Sequence, residues 1–204
     1  MLYFANPAGA DCLDAMRQGR LAYIDTPRQG NRMPEGVTWC ADSGIFGKNY
    51  VGDERYLAWL ASHRSDRQLC RFATAPDVVG DAKATVERSA PFFEPIRSLG
   101  YKVAFVAQDG LENLSIPWDD FDALFVGGST EWKLGREARR IVEQANEHGK
   151  WCHMGRVNSR RRIFYAYAIG CDSVDGTFLV FGPQKNLPPL LRWMDQLHSL
   201  QPAA

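Results

Sequence analysis

The chain has 204 residues, of which 45% are hydrophobic and 24% charged, proportions that are ordinary for a globular protein. Its 24 Lys and Arg residues balance 24 Asp and Glu residues, which disfavours a polybasic DNA-binding protein but leaves local basic patches open. The five cysteines are widely spaced and form no CxxC pair, so neither a disulfide framework nor a cysteine zinc site is predicted, and a reducing cytoplasm is expected. The first residues resemble a strand and turn, not a signal peptide, and no run approaches the ~18 apolar residues of a membrane span.

Eight short apolar runs predict β-strands, because each gives way to Pro, Gly, Asp or Asn. In chain order they are Leu2–Ala5, Leu21–Ile24, Val37–Ala41, Arg71–Ala75, Lys102–Ala107, Ala123–Val126, Lys150–Met154 and a run through Cys171 to Asp175. Helical spacing predicts helices between several of these runs, at Tyr56–Ser62, Asp81–Leu99, Arg136–His148, Ser159–Ile169 and Leu187–Leu197. The alternation of strand and helix indicates a parallel sheet.

Eight strands favour a compact α/β fold, a TIM-like (β/α)8 barrel, over an open sheet. We expect residues 1–200 to form this single domain and residues 201–204 to be a frayed tail. Because such barrels typically need ~250 residues, some helices should be reduced or missing. The regions 25–37 and 42–55 are the best candidates, since Gly, Asn, Asp and Pro make them resemble loops.

Two acidic motifs, ADSGIF at 41–46 and GCDSVDGT at 170–177, are the strongest candidates for chemistry. In each, an aspartate lies where an apolar run gives way to Gly or Ser: Asp42 in the first motif, and Asp172 and Asp175 in the second. The carboxyl ends of different barrel strands converge on one region. Carboxylates there can act as nucleophile and as general acid/base.

Polar groups and glycines also follow the other predicted strands. They include Asn6, Asp25, Asp77, Gln108, Gly127, Gly128 and Arg156. Asp, Asn and Gly are common turn residues, so turn chemistry explains any one of them equally well. The set as a whole favours a functional site, because barrel active sites lie at this end of the strands.

Five short segments resemble, in the same order, motifs of the tRNA-guanine transglycosylases. They are DSGIF (42–46, similar to DSGGF or DSGGY), VAQDG (106–110, similar to VQGG), VGG (126–128, similar to the start of GGLAVGE), HMGRV (153–157, similar to LMGVG) and GCDSVD (170–175, similar to GxDxFD). PDVVGD (76–81) and GGSTEW (127–132) resemble more closely the small DpdA-like branch of phages and bacteria. That branch is implicated in placing 7-deazaguanine bases into DNA.

The resemblance implies two catalytic roles. Asp175 matches the family's nucleophile, which attacks the anomeric C1′ carbon and forms a covalent glycosyl-enzyme, as in retaining glycoside hydrolysis. Asp42 matches the general acid/base that handles protons on the departing and incoming bases. Asp172 is the alternative nucleophile, but the register of the motif favours Asp175.

The resemblance also implies a pocket that binds a base. Asp77 lies near the family's guanine-reading aspartate, whose carboxylate accepts from N1–H and the exocyclic amine. Gln108 and the backbone amides of Gly127 and Gly128 would donate to O6. A pair of glycines is also common in tight turns, so its functional role depends on the motif match.

Phe46 and Met154 match an aromatic residue and a methionine that sandwich the flat base. Such a clamp on a π-face is physically reasonable. Without the motif matches, both residues would be assigned to the hydrophobic core.

A basic cluster follows the seventh predicted strand and opens the next helix. Its members are Arg156, Asn158, Arg160, Arg161 and Arg162. Guanidinium groups and helix N-terminal amides suit contacts with nucleic-acid phosphates, although a solvated helix face is an equally good explanation. A second group could extend the patch: Lys133, Arg136, Arg139 and Arg140.

Departures from the family motifs bear on the substrate. Ile45 replaces the second Gly of DSGGF, Asp109 stands where VQGG has Gly, and Val174 replaces the Phe of GxDxFD. Nothing after Cys171 could supply the family's C-terminal zinc ligands, so no zinc subdomain, metal or other cofactor is expected. These departures shift the expected polymer from tRNA towards DNA.

The leading hypothesis is therefore exchange of guanine in DNA for a 7-deazaguanine such as preQ0, on a flipped base or a single strand. A DNA glycosylase that leaves an abasic site is a close second, because it shares the first step. A non-catalytic nucleic-acid-binding barrel is a third possibility. A metal-dependent hydrolase that uses Asp25, Asp42, Asp77 and Asp175 as ligands is a fourth. The free base and DNA are the expected partners, with a homodimer or partner protein also open, and no membrane.

Overall fold

The computed structural model describes residues 1–47, 50–63 and 65–200, so the predicted tail at 201–204 lies outside the described residues. Its strands are β1 (Leu2–Ala5), β2 (Ala22–Asp25), β3 (Trp39–Ala41), β4 (Cys70–Thr74), β5 (Val103–Ala107), β6 (Ala123–Val126), β7 (Trp151–Met154) and β8 (Ser173–Asp175). They close into a barrel in which each strand pairs in parallel with the next and β8 pairs with β1. The predicted TIM-like (β/α)8 barrel is confirmed.

Seven helices surround the barrel in the part of the chain that the structure describes. They are α1 (Ala10–Arg17), α2 (Asp53–Ser62), α3 (Ala82–Ser98), α4 (Thr130–Lys133), α5 (Arg136–Glu147), α6 (Arg160–Ala168) and α7 (Pro183–Leu200). The sequence did not predict α1 or α4. Yet α1 buries Cys12, Ala15 and Met16, whose i, i+3, i+4 spacing is that of one helical face.

The predicted loops are only partly confirmed. Residues 26–38 join β2 to β3 without an α-helix, as predicted. The prediction for 42–55 is wrong at its end, because α2 begins at Asp53 and gives β3 its helix. The second connection without an α-helix is instead the one between β5 and β6. There, short 3₁₀ turns at Leu111–Asn113 and Trp118–Asp120 replace it, and Pro117 interrupts the segment between them.

The hydrophobic core has two layers, one inside the barrel and one between the barrel and its helices. Inside, the rings of Phe4, Phe72 and Phe125 pack edge to face, with centroids 6.0 and 6.2 Å apart along the series. Outside, the alternate residues of the same strands pack against the helices. Because successive strand residues face opposite sides, this alternation decides which residues at the strand ends reach the barrel mouth.

No helix in the described ranges has the length and apolarity to cross a bilayer.

Candidate active site

A pocket of about 280 Å³ opens at the carboxyl ends of the barrel strands. Its polar lining includes inward-facing residues at or just beyond the ends of seven strands: Asn6, Thr26, Asp42, Thr74, Gln108, Gly127 and Asp175. Ile24, Val106 and Phe125 continue the barrel interior as its apolar wall. This strand-end pocket lies near the low end of the ~300–1,000 Å³ of small-molecule sites, so it suits a ligand of base or nucleoside size.

Asp42 enters the pocket because it is the first residue after β3 and faces the barrel interior, as Cys40 does two residues earlier. Its Oδ1 accepts from the backbone N–H of Gly44 at 2.8 Å. Burial raises the pKa of Asp42 to about 6; the Gly44 hydrogen bond opposes this shift, and the charges of Asp175 and Asp77 add to it. Asp42 therefore changes protonation near neutral pH, as a general acid/base must.

Asp175 ends β8 and lines the same pocket, with 15% of its side chain exposed. Both carboxylate oxygens are held. Oδ2 lies 2.9 Å from Nε2 of His153, and Oδ1 accepts from the backbone N–H of Arg156 at 3.2 Å. The carboxylate thus has a fixed orientation while part of it still reaches the pocket.

Asp77 is held by Gln108 on the neighbouring strand end. Nε2 of Gln108 donates to Oδ2 of Asp77 at 2.6 Å, and the backbone N–H of Gly80 donates to Oε1 of Gln108 at 3.0 Å. Burial raises the pKa of Asp77, and the hydrogen bond from Gln108 and the charge of Arg156 oppose that shift. Gln108 is itself 3% exposed, so this amide fixes the position of a carboxylate that lines the pocket.

Phe46 and Arg156 face each other at the pocket mouth. Phe46 is 57% exposed, and the guanidinium carbon of Arg156 lies 4.3 Å from the centre of its ring. The same guanidinium donates to the carbonyl oxygens of Gly127 and Gly128. Arg156 has a φ of 59°, a left-handed conformation that is uncommon for a residue with a long side chain.

The structure contradicts the role expected for Met154. It faces outward from β7, is 0% exposed and packs in the core between barrel and helices. The alternation of the strand explains this placement, because His153 and Gly155 face inward and Met154 must then face outward. Met154 therefore does not sandwich a ligand in the strand-end pocket.

The amides of Gly127 and Gly128 do not face a ligand either. Both N–H groups donate to the carbonyl of Ala107, at 2.9 and 3.1 Å. A Cβ on Gly128 would lie 2.3 Å from the Trp132 ring, and a Cβ on Gly127 would lie 2.7 Å from Val106. These glycines permit close packing and offer their carbonyls to Arg156, and their amides are not free to donate to O6 of a guanine.

The basic cluster divides into parts with different surroundings. Arg156 lines the pocket, whereas Arg160 donates to Gln196 on α7 and stacks on Phe164. Asn158 and Arg161 are exposed, and Arg162 is half-buried. The cluster is therefore not one continuous phosphate-binding surface.

Lys133 does not extend the basic patch, because it is 1% exposed. Its Nζ donates to the carbonyl of Gly155 at 2.6 Å. Burial lowers its pKa to about 7, and the charge of Arg156 acts in the same direction. Lys133 therefore stabilises, through a buried hydrogen bond, the backbone just before Arg156.

Two other predicted aspartates lie outside the pocket. Asp172 precedes β8, accepts from the backbone N–H of Cys152 and lines a different depression beside Trp151. Asp25 faces outward from β2 towards His63. Within the described ranges, no three His, Cys, Asp or Glu side chains are grouped so that they could hold a metal ion.

His153 is a residue at this site to which the sequence analysis gave no role, as is Thr74 at the end of β4. His153 is 0% exposed inside the barrel, and its Nε2 contacts Asp175. The signal was present in the alternation of two strands: His153 shares a face with Gly155 on β7, and Ser173 shares one with Asp175 on β8. A comparison with protein-family models and a comparison with curated proteins both find no match, so function must be inferred from the residues themselves.

Proposed function

We propose that this protein is a nucleic-acid guanine transglycosylase that exchanges guanine in DNA for a 7-deazaguanine base. One observation carries the proposal: Asp42 and Asp175, from motifs that are far apart in the sequence, line one pocket of about 280 Å³. We expect a nucleoside unit bound in that pocket to contact both carboxylates. The preference for DNA rests on the resemblance of residues 76–81 and 127–132 to the small DpdA-like branch.

The proposed first step is attack by a carboxylate oxygen of Asp175 on C1′ of the target nucleotide. The bond between C1′ and the base nitrogen breaks, its electron pair leaves with the base, and protonated Asp42 supplies the proton. A covalent aspartyl-glycosyl ester remains. The two hydrogen bonds to Asp175 support this role, because a fixed carboxylate meets C1′ in one geometry.

The second step reverses the first with a different base. Ionised Asp42 takes a proton from the incoming 7-deazaguanine, whose ring nitrogen attacks C1′ and displaces the Asp175 carboxylate. A pKa of about 6 gives Asp42 access to both protonation states near neutral pH. As proposed, the reaction needs no metal or cofactor, since side chains supply the nucleophile and the proton.

Recognition of the base is assigned to the polar and aromatic groups around the apolar wall. Asp77, held by Gln108, would accept from the N–H groups of a guanine edge. Phe46 would stack on the base at the pocket mouth. A base within a duplex cannot reach a pocket of this depth, so we expect a flipped nucleotide or a single strand.

The test is incubation with single-stranded DNA, duplex DNA and tRNA, each with and without labelled preQ0. Appearance of label in DNA together with free guanine supports the exchange. Free guanine and abasic sites without incorporated label would show a DNA glycosylase, which uses the same first step. If no polymer releases a base with or without preQ0, the proposal is wrong. The Asp175→Ala variant is the control for contaminating activity.

A further inference from the structure

A chain of hydrogen bonds runs through the barrel interior and ends on Asp175. Nε1 of Trp151 donates to Oγ of Ser173 at 2.8 Å. Oγ of Ser173 lies 2.9 Å from Nδ1 of His153, and Nε2 of His153 lies 2.9 Å from Oδ2 of Asp175. Ser173 and His153 are both 0% exposed, so water does not compete for these contacts.

The indole donor at one end and the carboxylate acceptor at the other together set the direction of the whole chain. An indole N–H can only donate, so Oγ of Ser173 accepts from Trp151 and its own proton can point to His153. Nδ1 of a neutral His153 then accepts, and its proton lies on Nε2, facing the carboxylate. The opposite tautomer would place the Nε2 lone pair against a carboxylate oxygen and leave that contact repulsive.

The packing around His153 holds the ring in place. Its centroid lies 4.5 Å from that of Phe125, 5.1 Å from that of Phe72 and 5.7 Å from that of Phe4. Three aromatic neighbours leave little room for the imidazole to rotate. They also lower the local dielectric, which strengthens the hydrogen bonds of the chain.

We propose that His153 is a positioning residue for Asp175, kept as the Nε2–H tautomer by Ser173 and Trp151. This inference rests on the proposed function, in which Asp175 is the nucleophile. His153 orients the attacking carboxylate in the first step and stabilises it again when it leaves C1′ in the second. No proton moves along the chain, since His153 donates the same hydrogen bond throughout.

The tautomer can be tested without any assay of activity. Long-range ¹H–¹⁵N spectra of histidine-labelled protein, taken at the alkaline end of a titration, distinguish the two neutral tautomers. The chain has four histidines, and the signal missing from His153→Phe identifies the relevant one. A proton on Nε2 supports the proposal, and a proton on Nδ1 overturns it. This result stands whether or not the protein exchanges bases.

The positioning role is tested on base release with two substitutions at His153. His153→Phe keeps an aromatic ring among aromatic neighbours but removes the donor, so kcat should fall about 100-fold while KM changes less than about threefold. His153→Gln has an amide N–H that can reach Asp175, and it should recover at least tenfold of that loss. Full kcat in His153→Phe, or equal loss in both variants, would overturn the proposal.

A matched control lies next to His153 on the same strand. Cys152 is equally buried but faces the outer core layer, so Cys152→Ala disturbs β7 without removing the hydrogen bond to Asp175. Its kcat should stay within about threefold of the wild type. If the wild-type protein releases no base at all, the proposed function fails, and the tautomer measurement alone decides the proposal on His153.

Discussion

The guanidinium of Arg156 lies 4.3 Å from the centre of the Phe46 ring, so a cation and an aromatic face meet across the mouth of the strand-end pocket. Arg156 is anchored from behind by two glycine carbonyls, whereas Phe46 is more than half exposed. At this distance the guanidinium covers one part of the ring, and the exposed remainder of Phe46 offers an aromatic surface on which a base that enters the pocket can stack.

Stacking on Phe46 should contribute measurably to binding. Loss of one base–aromatic contact typically costs about 1–3 kcal/mol, so Phe46→Ala should weaken binding of a single-stranded oligonucleotide about 5- to 150-fold. Phe181→Ala is the matched control, because Phe181 is 80% exposed but does not line the pocket. Fluorescence anisotropy titrations of both variants check this, and equal losses would argue against stacking on Phe46.

Asp175→Ala should abolish base release, with a loss of at least about 1,000-fold in kcat, because no other group is proposed to attack C1′. Asp175→Asn should form no covalent adduct on a denaturing gel. Asp172→Asn should keep nearly full activity, since Asp172 lies at the other depression and an amide oxygen can still accept from Cys152. If Asp172→Asn lost activity while Asp175→Ala kept it, Asp172 would be the nucleophile and Asp175 would not.

The rate of base release should fall as pH rises above about 6. Asp42 acts first as an acid, its pKa is raised to about 6, and the protonated fraction drops about tenfold per pH unit beyond that value. Asp42→Asn should lower the rate about 100- to 10,000-fold and flatten this limb of the profile. Profiles of kcat/KM for both proteins provide the measurement. If the fall in kcat/KM at rising pH is unchanged in Asp42→Asn, the group that causes it is not Asp42.

Asp25 should make the fold less stable as pH rises. Burial raises its pKa to about 6, against the opposing effects of His63 and the Thr26 amide, so the folded state holds a proton more tightly than the unfolded state. Stability from this group is present below the unfolded value near 4 and is lost as pH rises through about 6. Asp25→Asn keeps an acceptor for Thr26 and removes the cost of ionisation.

The expected gain from Asp25→Asn is about 1–3 kcal/mol in the free energy of unfolding at pH 8, shrinking towards zero near pH 4. Urea unfolding at several pH values measures it. Asp14→Asn is the control, because Asp14 is exposed and pairs with Arg17 on the surface of α1. A gain for Asp25→Asn that is the same at pH 4 and pH 8 would contradict the role assigned to burial.

The barrel could be predicted because its strands are buried on both faces and therefore stand out as apolar runs. Each predicted run overlaps an observed strand, and the helices with clear apolar faces were found as well. The helix α1 was missed because Pro7 and Gly9 suggested a turn, although its buried residues have helical spacing. The absent helix between β5 and β6 depends on how a segment packs over the barrel, which local sequence does not specify.

Residues of the candidate site could be predicted only where the motif match fell on a strand position whose side chain faces the barrel interior. Asp42, Gln108 and Asp175 fall on inward-facing positions and line the pocket. Met154 lies one residue away from an inward-facing position on β7, and a motif match alone could not show that its side chain faces outward. The amides of Gly127 and Gly128 were misassigned for another reason: hydrogen-bond partners of backbone groups depend on the turn that the chain makes, and glycine permits many turns.

Closure of the barrel places its first and last strands in register, with Leu2 beside Ser173 and Phe4 beside Asp175. These pairings join residues that are far apart in sequence, so they carry a high entropic cost of loop closure and favour slow folding. The proposed nucleophile lies on the strand that makes them. A nascent or partly unfolded chain therefore has no assembled site, and any base-exchange activity would report directly on completion of the barrel.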